Sequence, residues 1–217
     1  MAQVVTVAQQ KGGSGKTTLA AHLAVEMGRR GRRVAMLDLD PQGSLGRWFL
    51  RRCERTDGVT CDLTFGTASA WGVTFECGRL GRDHDLILVD TPPKIDADLR
   101  PALQVATLVL VPVAASEVDL WATEGVLELA ARERRRPLVV LNRARTGQRL
   151  TERVRAALGG LEADAARTVL AQRVAFAEAL GAGQGVAEFA GAARAAAEVA
   201  ALADEVAARL AAPGPGH

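Results

Sequence analysis

The residue types best suited to chemistry lie together near the start of the chain, in the segment Lys11-Gly12-Gly13-Ser14-Gly15-Lys16-Thr17-Thr18. The whole chain contains three lysines against 24 arginines, and two of those lysines lie in this segment. A lysine ammonium is a compact charge with three donors, which suits a phosphate oxygen. The glycines let successive backbone N–H groups approach one anion. The segment is therefore predicted to be a phosphate-binding loop.

The sequence on either side of this loop predicts how it is held. The apolar run Val4–Ala8 has the length of a strand, and apolar residues at helical spacing begin at Leu19. A glycine loop between a strand and a helix N-terminus is the arrangement of a nucleotide-binding P-loop. We expect Lys16 to contact the β- and γ-phosphates of ATP, Thr17 to bind Mg²⁺ through its hydroxyl, and Thr18 to add an α-phosphate contact.

The rest of the chain alternates between apolar runs of strand length and helical stretches. Four of these runs are Arg33–Asp38, Leu86–Asp90, Leu108–Val113 and Leu138–Asn142. They are continuously apolar and do not alternate with polar residues, which indicates a parallel sheet covered on both faces. Repeated β–α units of this kind predict an α/β fold in which helices flank a doubly wound, mainly parallel sheet, as in P-loop NTPases.

The chain is expected to form one domain over residues 1–212, followed by a disordered tail over 213–217. An alanine-rich terminal helix ends at Pro213, because proline cannot continue a helix. Residues 51–85 carry the weakest pattern, and a short strand over Val59–Phe65 is the best candidate within them. No internal repeat and no linker divides the sequence.

Polar residues stand where the predicted strands end, which is where ligands of such sheets bind. Asp90 ends a strand as a Walker B carboxylate does, and such a carboxylate holds Mg²⁺ directly or through water. Taken alone, an aspartate at a strand end is also compatible with a turn or a helix cap.

The glycine loop departs from the generic pattern GxxxxGK[ST], because Gln10 stands where its first glycine belongs. It fits instead the variant KGGxGKT[ST], which has an additional lysine at Lys11. This loop resembles the deviant Walker A loop of the ParA/MinD family of partitioning and positioning ATPases. Two further segments resemble acidic motifs of the same family, namely Asp38-Leu39-Asp40-Pro41-Gln42 and Asp90-Thr91-Pro92-Pro93. The resemblance covers most of the chain and is strongest to the short ParA proteins.

This resemblance implies roles for further residues. In the family the additional lysine reaches across a dimer interface, so Lys11 is expected to contact phosphates held by a second subunit, and ATP to join a homodimer. In the alternative, Lys11 serves its own loop. Asp38 suits a role near Mg²⁺, and Asp40 is placed to orient the attacking water, so that Lys11, Lys16 and Asp40 would carry catalysis. Asn142 and Arg173 are adenine-side candidates.

Positive charge is concentrated in one part of the chain. Residues 132–173 contain eleven arginines against four carboxylates, although the net charge of the chain is only +2. Within them, Arg149, Arg153 and Arg155 are expected on neighbouring positions of one helix. A basic stripe without interleaved aromatic residues suits sequence-independent contact with DNA phosphates, and the resemblance likewise implies non-specific DNA as a partner. A solvated helix face is the alternative.

Composition argues against several other classes of protein. The chain has 217 residues and three cysteines without CxxC spacing, which are interpreted as reduced thiols with no metal role. No apolar run approaches the roughly 20 residues that span a membrane, and no signal peptide is expected. The chain is therefore predicted to be cytoplasmic, associated with the nucleoid through DNA and without a membrane partner.

Three other functions are alternatives to the hypothesis of a ParA-type ATPase. MinD-like positioning ATPases of cell division end in a basic amphipathic membrane helix, whereas the terminal helix here is mainly alanine with Glu198, Asp204 and Glu205. An iron–sulfur or metallo-reductase dimer needs a thiolate pair across its axis, and the cysteines lie outside the predicted switch regions. A module that binds ATP without hydrolysing it is the third.

The resemblance also implies an activator of ParB type and a cargo, such as a plasmid, chromosome or protein cluster.

Overall fold

The structure is a computed structural model that describes residues 2–55, 63–93, 99–145, 147–161 and 163–212. Lys94, the 213–217 tail and the first part of the Val59–Phe65 strand therefore lie outside the described residues.

A parallel sheet forms the centre of the molecule. Its strands are β1 (Gln3–Val7), β2 (Val34–Asp38), β3 (Thr64–Thr67), β4 (Leu86–Asp90), β5 (Leu108–Ala114), β6 (Pro137–Asn142) and β7 (Asp164–Ala165). They are arranged in the order β3-β2-β4-β1-β5-β6-β7. Every pairing between neighbours is parallel, which confirms the predicted α/β fold with a doubly wound sheet.

Helices cover both faces of this sheet. They are α1 (Lys16–Arg29), α2 (Ser44–Arg55), α3 (Val73–Leu80), α4 (Leu99–Gln104), α5 (Glu117–Arg132), α6 (Arg149–Leu158), α7 (Val174–Gly181) and α8 (Ala193–Ala211). Apolar residues of α1, α2 and α8 form the core on one face, and α7 packs against it. On the other face, α4, α5 and α6 share one apolar cluster, while α3 packs on a second.

Strand β4 shows why these runs are apolar throughout. Leu86 and Leu88 belong to the cluster that contains α1, whereas Ile87 and Val89 belong to the cluster beneath α3. Successive side chains of a strand point to opposite faces, so a strand covered on both sides needs apolar residues at every position.

Strand β3 differs in its bounds from the predicted strand over Val59–Phe65. It runs over Thr64–Thr67 and, within the described residues, pairs with β2 alone, at the edge of the sheet. Its residues are half-buried or exposed, so its sequence lacks the continuous apolar run of the central strands.

The alanine-rich terminal helix is observed as α8, which contacts α1. Val199, Leu202 and Val206 lie on its buried face. Across the ranges that the structure describes, no helix is long and apolar enough to cross a lipid bilayer.

Candidate functional site

The predicted loop and acidic residues meet at the carboxyl edge of the sheet. The loop follows β1, whose neighbour on one side is β4, and β2 lies next to β4. Asp38 and Asp90, the last residues of β2 and β4, are direct register partners. Two carboxylates that are distant in sequence are therefore placed beside the loop by strand order alone.

The loop backbone turns sharply into α1 at two glycines. Gly13 has φ 76° and Gly15 has φ 93°, both in the left-handed region that favours glycine. A Cβ on Gly15 would lie 2.5 Å from Asn142 Nδ2, so no larger residue fits there without displacing that side chain. The N-terminus of α1 begins directly afterwards, at Lys16, and presents its first N–H groups to the loop.

Asn142 is hydrogen-bonded to the backbone of this loop. Its Nδ2 donates a hydrogen bond of 2.8 Å to the carbonyl oxygen of Ser14, and its Oδ1 accepts from the backbone N–H of Arg143. Asn142 was predicted on the adenine side, and it does line the large cleft next to the loop. The contact that it makes within the protein, however, is to the loop backbone.

Lys16 is a buried cation at the start of α1. Burial lowers its pKa below the ordinary lysine value, while the negative charges of Asp90 and Asp40 oppose that decrease. A desolvated ammonium gains strongly from an anionic partner, because the low local dielectric strengthens the attraction. The position suits the predicted contact with terminal phosphates.

Thr17 and Asp90 form a pair of oxygen ligands. The Thr17 hydroxyl donates to Asp90 Oδ2 at 2.6 Å. Asp90 is 1 % exposed, and its Oδ1 is buried without a hydrogen-bond partner in the described part of the chain. Burial raises the pKa of this carboxyl to about 7, and the Thr17 hydrogen bond counteracts part of that increase.

A buried, unpartnered carboxylate oxygen beside a hydroxyl fits a hard divalent cation. Mg²⁺ prefers oxygen ligands and keeps several waters, so it needs few protein groups. Thr17 and Asp90 would hold it, and its charge would favour the ionised carboxylate. The donor set therefore matches the predicted cofactor.

Asp38 is engaged mainly by backbone groups. It is 3 % exposed, its Oδ1 accepts from the N–H of Asp40 at 2.9 Å, and its Oδ2 accepts from the N–H of Gly46 at 3.2 Å. Burial raises the pKa of Asp38, and these hydrogen bonds oppose the increase. Asp38 thus holds the loop after β2 against the first turn of α2, while Asp40 lies half-buried within that loop.

Lys11 forms an ion pair within its own chain. Its Nζ lies 2.7 Å from Asp119 Oδ2, and the Ser116 hydroxyl also contacts that carboxylate. The Lys11 side chain is 39 % exposed and the Asp119 side chain only 8 %. Asp119 lies in the first turn of α5, where Ser116 caps the helix by accepting from the Asp119 N–H. The sequence drew attention to Lys11 without indicating this partner.

A cleft of about 1100 Å³ extends away from the loop. It begins at Gly15 and Thr18 and continues between α2 and α7. Five arginines line it: Arg47, Arg51, Arg143, Arg145 and Arg173. Of these only Arg173 was predicted, and its Nε donates to Glu198 Oε1 of α8 at 3.0 Å.

The three arginines predicted to bind DNA all lie exposed on α6. One helical turn separates Arg149 from Arg153, so these two share a face, but Arg155 lies about 120° around the helix from Arg149. Arg153 also forms an ion pair with Glu117 of α5. The expected stripe is therefore a pair of neighbours with a third arginine on a different side of the helix.

Comparison with known proteins gives consistent results. Residues 5–186 match the family described as CobQ/CobB/MinD/ParA nucleotide binding domain. The chromosome-partitioning ATPase Soj of Thermus thermophilus is 34 % identical over 151 residues, which cover 58 % of this chain and 59 % of that protein. The maintenance of carboxysome distribution protein A of Halothiobacillus neapolitanus is 27 % identical over 183 residues, which cover 81 % and 82 %.

A solved structure shows the same fold. The ATP complex of a Cyanothece McdA variant superposes with a TM-score of 0.77 at 15 % identity, covering 100 % of this chain and 99 % of that chain. The family model describes a nucleotide-binding domain, in agreement with the predicted phosphate loop. The chain belongs to the CobQ/CobB/MinD/ParA nucleotide-binding domain family.

Proposed function

We propose that the chain is a ParA-type ATPase that binds Mg²⁺ and ATP, forms an ATP-dependent homodimer, binds DNA without sequence preference and positions or segregates a cargo. The observation that carries the proposal is the Thr17–Asp90 pair, with its unpartnered carboxylate oxygen, next to the buried ammonium of Lys16. The names of the relatives, which refer to chromosome partitioning and carboxysome distribution, support a cargo-positioning role. An activator of ParB type, which the motif resemblance implies, is part of the same proposal.

Each residue of the site has a distinct part in hydrolysis. Lys16 and the N–H groups at the start of α1 hold the phosphates and neutralise their charge. Mg²⁺ held by Thr17 and Asp90 would supply further neutralisation of the phosphate charge. Asp40 lies within Coulombic reach of Lys16 and orients the attacking water. Phosphoryl transfer depends on positioning and electrostatics, so this small set of groups suffices.

The homodimer is supported by the surface around Lys11. Val118 and Trp121 lie in the first turns of α5, beside Asp119, and are 55 % and 62 % exposed. Exposed apolar residues next to a nucleotide site are suited to cover it in a complex. Within such a dimer, Lys11 exchanges Asp119 for a phosphate of the second subunit.

Light scattering with AMP-PNP and Mg²⁺ tests this arrangement. Lys11→Ala should lose the nucleotide-dependent dimer while its affinity for ATP falls only modestly, because the main phosphate contacts of Lys16 remain. Lys11→Ala that still dimerises with nucleotide would show that Lys11 acts within its own chain.

DNA binding is proposed for the exposed face of α6 that carries Arg149 and Arg153. Each DNA phosphate that a cation neutralises contributes about −0.9 to the slope of log K against log salt. A dimer doubles the number of contacts, so nucleotide should steepen the salt dependence of binding.

A matched pair of variants tests this face. The double variant Arg149→Glu/Arg153→Glu should abolish binding to a random duplex and keep the dimer. The single variant Arg155→Glu changes a neighbour on another side of the same helix and should bind nearly as the parent does. Unaltered DNA binding by the double variant would show that this face of α6 is a solvated surface that does not bind DNA.

A further inference from the structure

Helix α2 joins the two ends of the nucleotide site. It begins just after the loop of Asp40, and the N–H of Gly46 in its first turn is held by Asp38. Further along, Arg47, Trp48 and Arg51 line the cleft. The last turn of the helix is fixed by a buried side chain that the reaction itself does not use.

That side chain is Arg52, which forms a two-bond ion pair with Glu188. Arg52 Nη1 lies 2.8 Å from Glu188 Oε2, and Arg52 Nη2 lies 2.8 Å from Glu188 Oε1. Arg52 Nη1 also donates to the carbonyl oxygen of Gly183 at 3.3 Å. Arg52 is 2 % exposed, so removal of the Glu188 charge would take a close, two-bond counter-charge from a buried cation.

The segment from Gly183 to Glu188 is held equally tightly by its backbone. A Cβ on Gly183 would lie 2.6 Å from the backbone nitrogen of Arg52, and a Cβ on Gly185 would lie 2.6 Å from Val25 Cγ1. The Gly185 N–H donates to Glu188 Oε2 at 3.0 Å. The segment is therefore closely packed against α1 and α2. Arg52–Glu188, at 2.8 Å, is a shorter charged contact to it than Arg55–Glu188, at 3.9 Å.

This segment follows α7 directly, and α7 forms one wall of the cleft. Phe176, Ala177 and Leu180 line the cavity on that side. Phosphates bound by the loop would occupy the end of the cleft at Gly15 and Thr18, which would leave the remaining volume for ribose and base. An apolar wall opposite polar groups is what a nucleobase requires.

We propose that Arg52 and Glu188 are positioning residues for the nucleoside part of ATP. By fixing the 183–188 segment against α2, they hold α7 as the wall on which the base packs. They thus govern affinity for nucleotides that carry a base, without governing affinity for the phosphate chain alone. The inference rests on the ATP site proposed above.

The test compares ATP with inorganic tripolyphosphate, which offers the same phosphate chain without a nucleoside. Calorimetric titration of the full chain with Mg²⁺ gives both dissociation constants for each variant. Glu188→Gln should raise the constant for ATP about tenfold, the order expected when a charge-assisted hydrogen bond is lost. The constant for tripolyphosphate should change by less than about twofold, since distant sites act independently.

Two further variants complete the design. Glu76→Gln is the matched control, because Glu76 is half-buried, pairs with Arg79 at 2.8 Å on α3 and is not among the described residues that line the cleft, so it should alter neither constant. Arg52→Lys keeps the charge but loses the two-bond geometry, so it should show a smaller selective loss and serves if Glu188→Gln does not fold.

Equal weakening of both ligands, or no change in either, overturns the inference. Failure of the parent chain to bind ATP would instead overturn the proposed function itself.

Discussion

In the proposed dimer, Lys11 exchanges its contact with Asp119 for one with the second subunit. In the single chain the two groups lie 2.7 Å apart, and the carboxylate is nearly enclosed. The pair thus competes with the dimer for one ammonium group. Asp119→Asn removes the charge and keeps both the side-chain size and an oxygen that can contact Ser116. We expect this variant to dimerise more tightly than the parent when nucleotide is bound.

The size of the effect follows from the exposure of the pair. Lys11 is more than a third exposed, so solvent screens the attraction, and the pair is worth about 1 kcal/mol, at the upper end for exposed pairs. A dimer releases two such lysines, which makes about 2 kcal/mol. That free energy corresponds to a dimer dissociation constant about 30-fold lower.

Sedimentation equilibrium with AMP-PNP and Mg²⁺ measures this constant directly. Glu117→Gln is the control, since Glu117 lies two residues away and pairs with Arg153 instead of Lys11. The reasoning fails if Asp119→Asn dimerises as the parent does, or more weakly, because Lys11 would then not be in competition between the two partners.

Three further outcomes are expected. Lys16→Ala should weaken ATP binding by more than about 100-fold in a fluorescent-nucleotide titration, because a buried charge-assisted contact is lost; near-normal affinity would remove the P-loop assignment. Asp40→Ala should still bind nucleotide and form the dimer but should release phosphate about 10²-fold more slowly. An unchanged rate would exclude Asp40 from catalysis and make Asp38 the next candidate. His22 accepts from the Val186 N–H, and burial lowers its pKa from 6.5 to about 4. The unfolded chain therefore binds the proton more strongly than the folded chain. Neutral His22 contributes its full share of the free energy of unfolding above pH 6.5, and this share falls by up to about 3 kcal/mol as the pH decreases to 4. Urea unfolding at several pH values measures this decrease, and His22→Gln with the parent's pH dependence would contradict it.

The central strands and the phosphate loop were predictable from local sequence. Strands such as β4 are buried on both faces, so every residue carries the apolar signal, and the glycines of the loop are required by its own backbone. Strand β3 was harder to place, because an edge strand with exposed threonines lacks that signal. Local pattern therefore predicts elements best where burial is complete on both sides.

Pairings between distant residues could not be predicted in the same way. Lys11 and Asp119 are separated by 108 residues, and Arg52 and Glu188 by 136. These contacts depend on which loops the strand order brings together, and residue types alone do not encode that order. The contact of Asn142 with the loop backbone also depends on β6 lying two strands from β1. Sequence identified the individual chemical groups, while topology determined their partners.

The position of β1 in the sheet has a consequence for synthesis of the chain. Both of its neighbours, β4 and β5, come later in the sequence, and β5 ends only at Ala114. During translation the strand that carries this loop therefore lacks both of its sheet neighbours until the chain has emerged as far as Ala114. Parallel pairings between distant segments also form slowly. The phosphate loop is therefore held in place only after strands that are made later than β1 have paired with it.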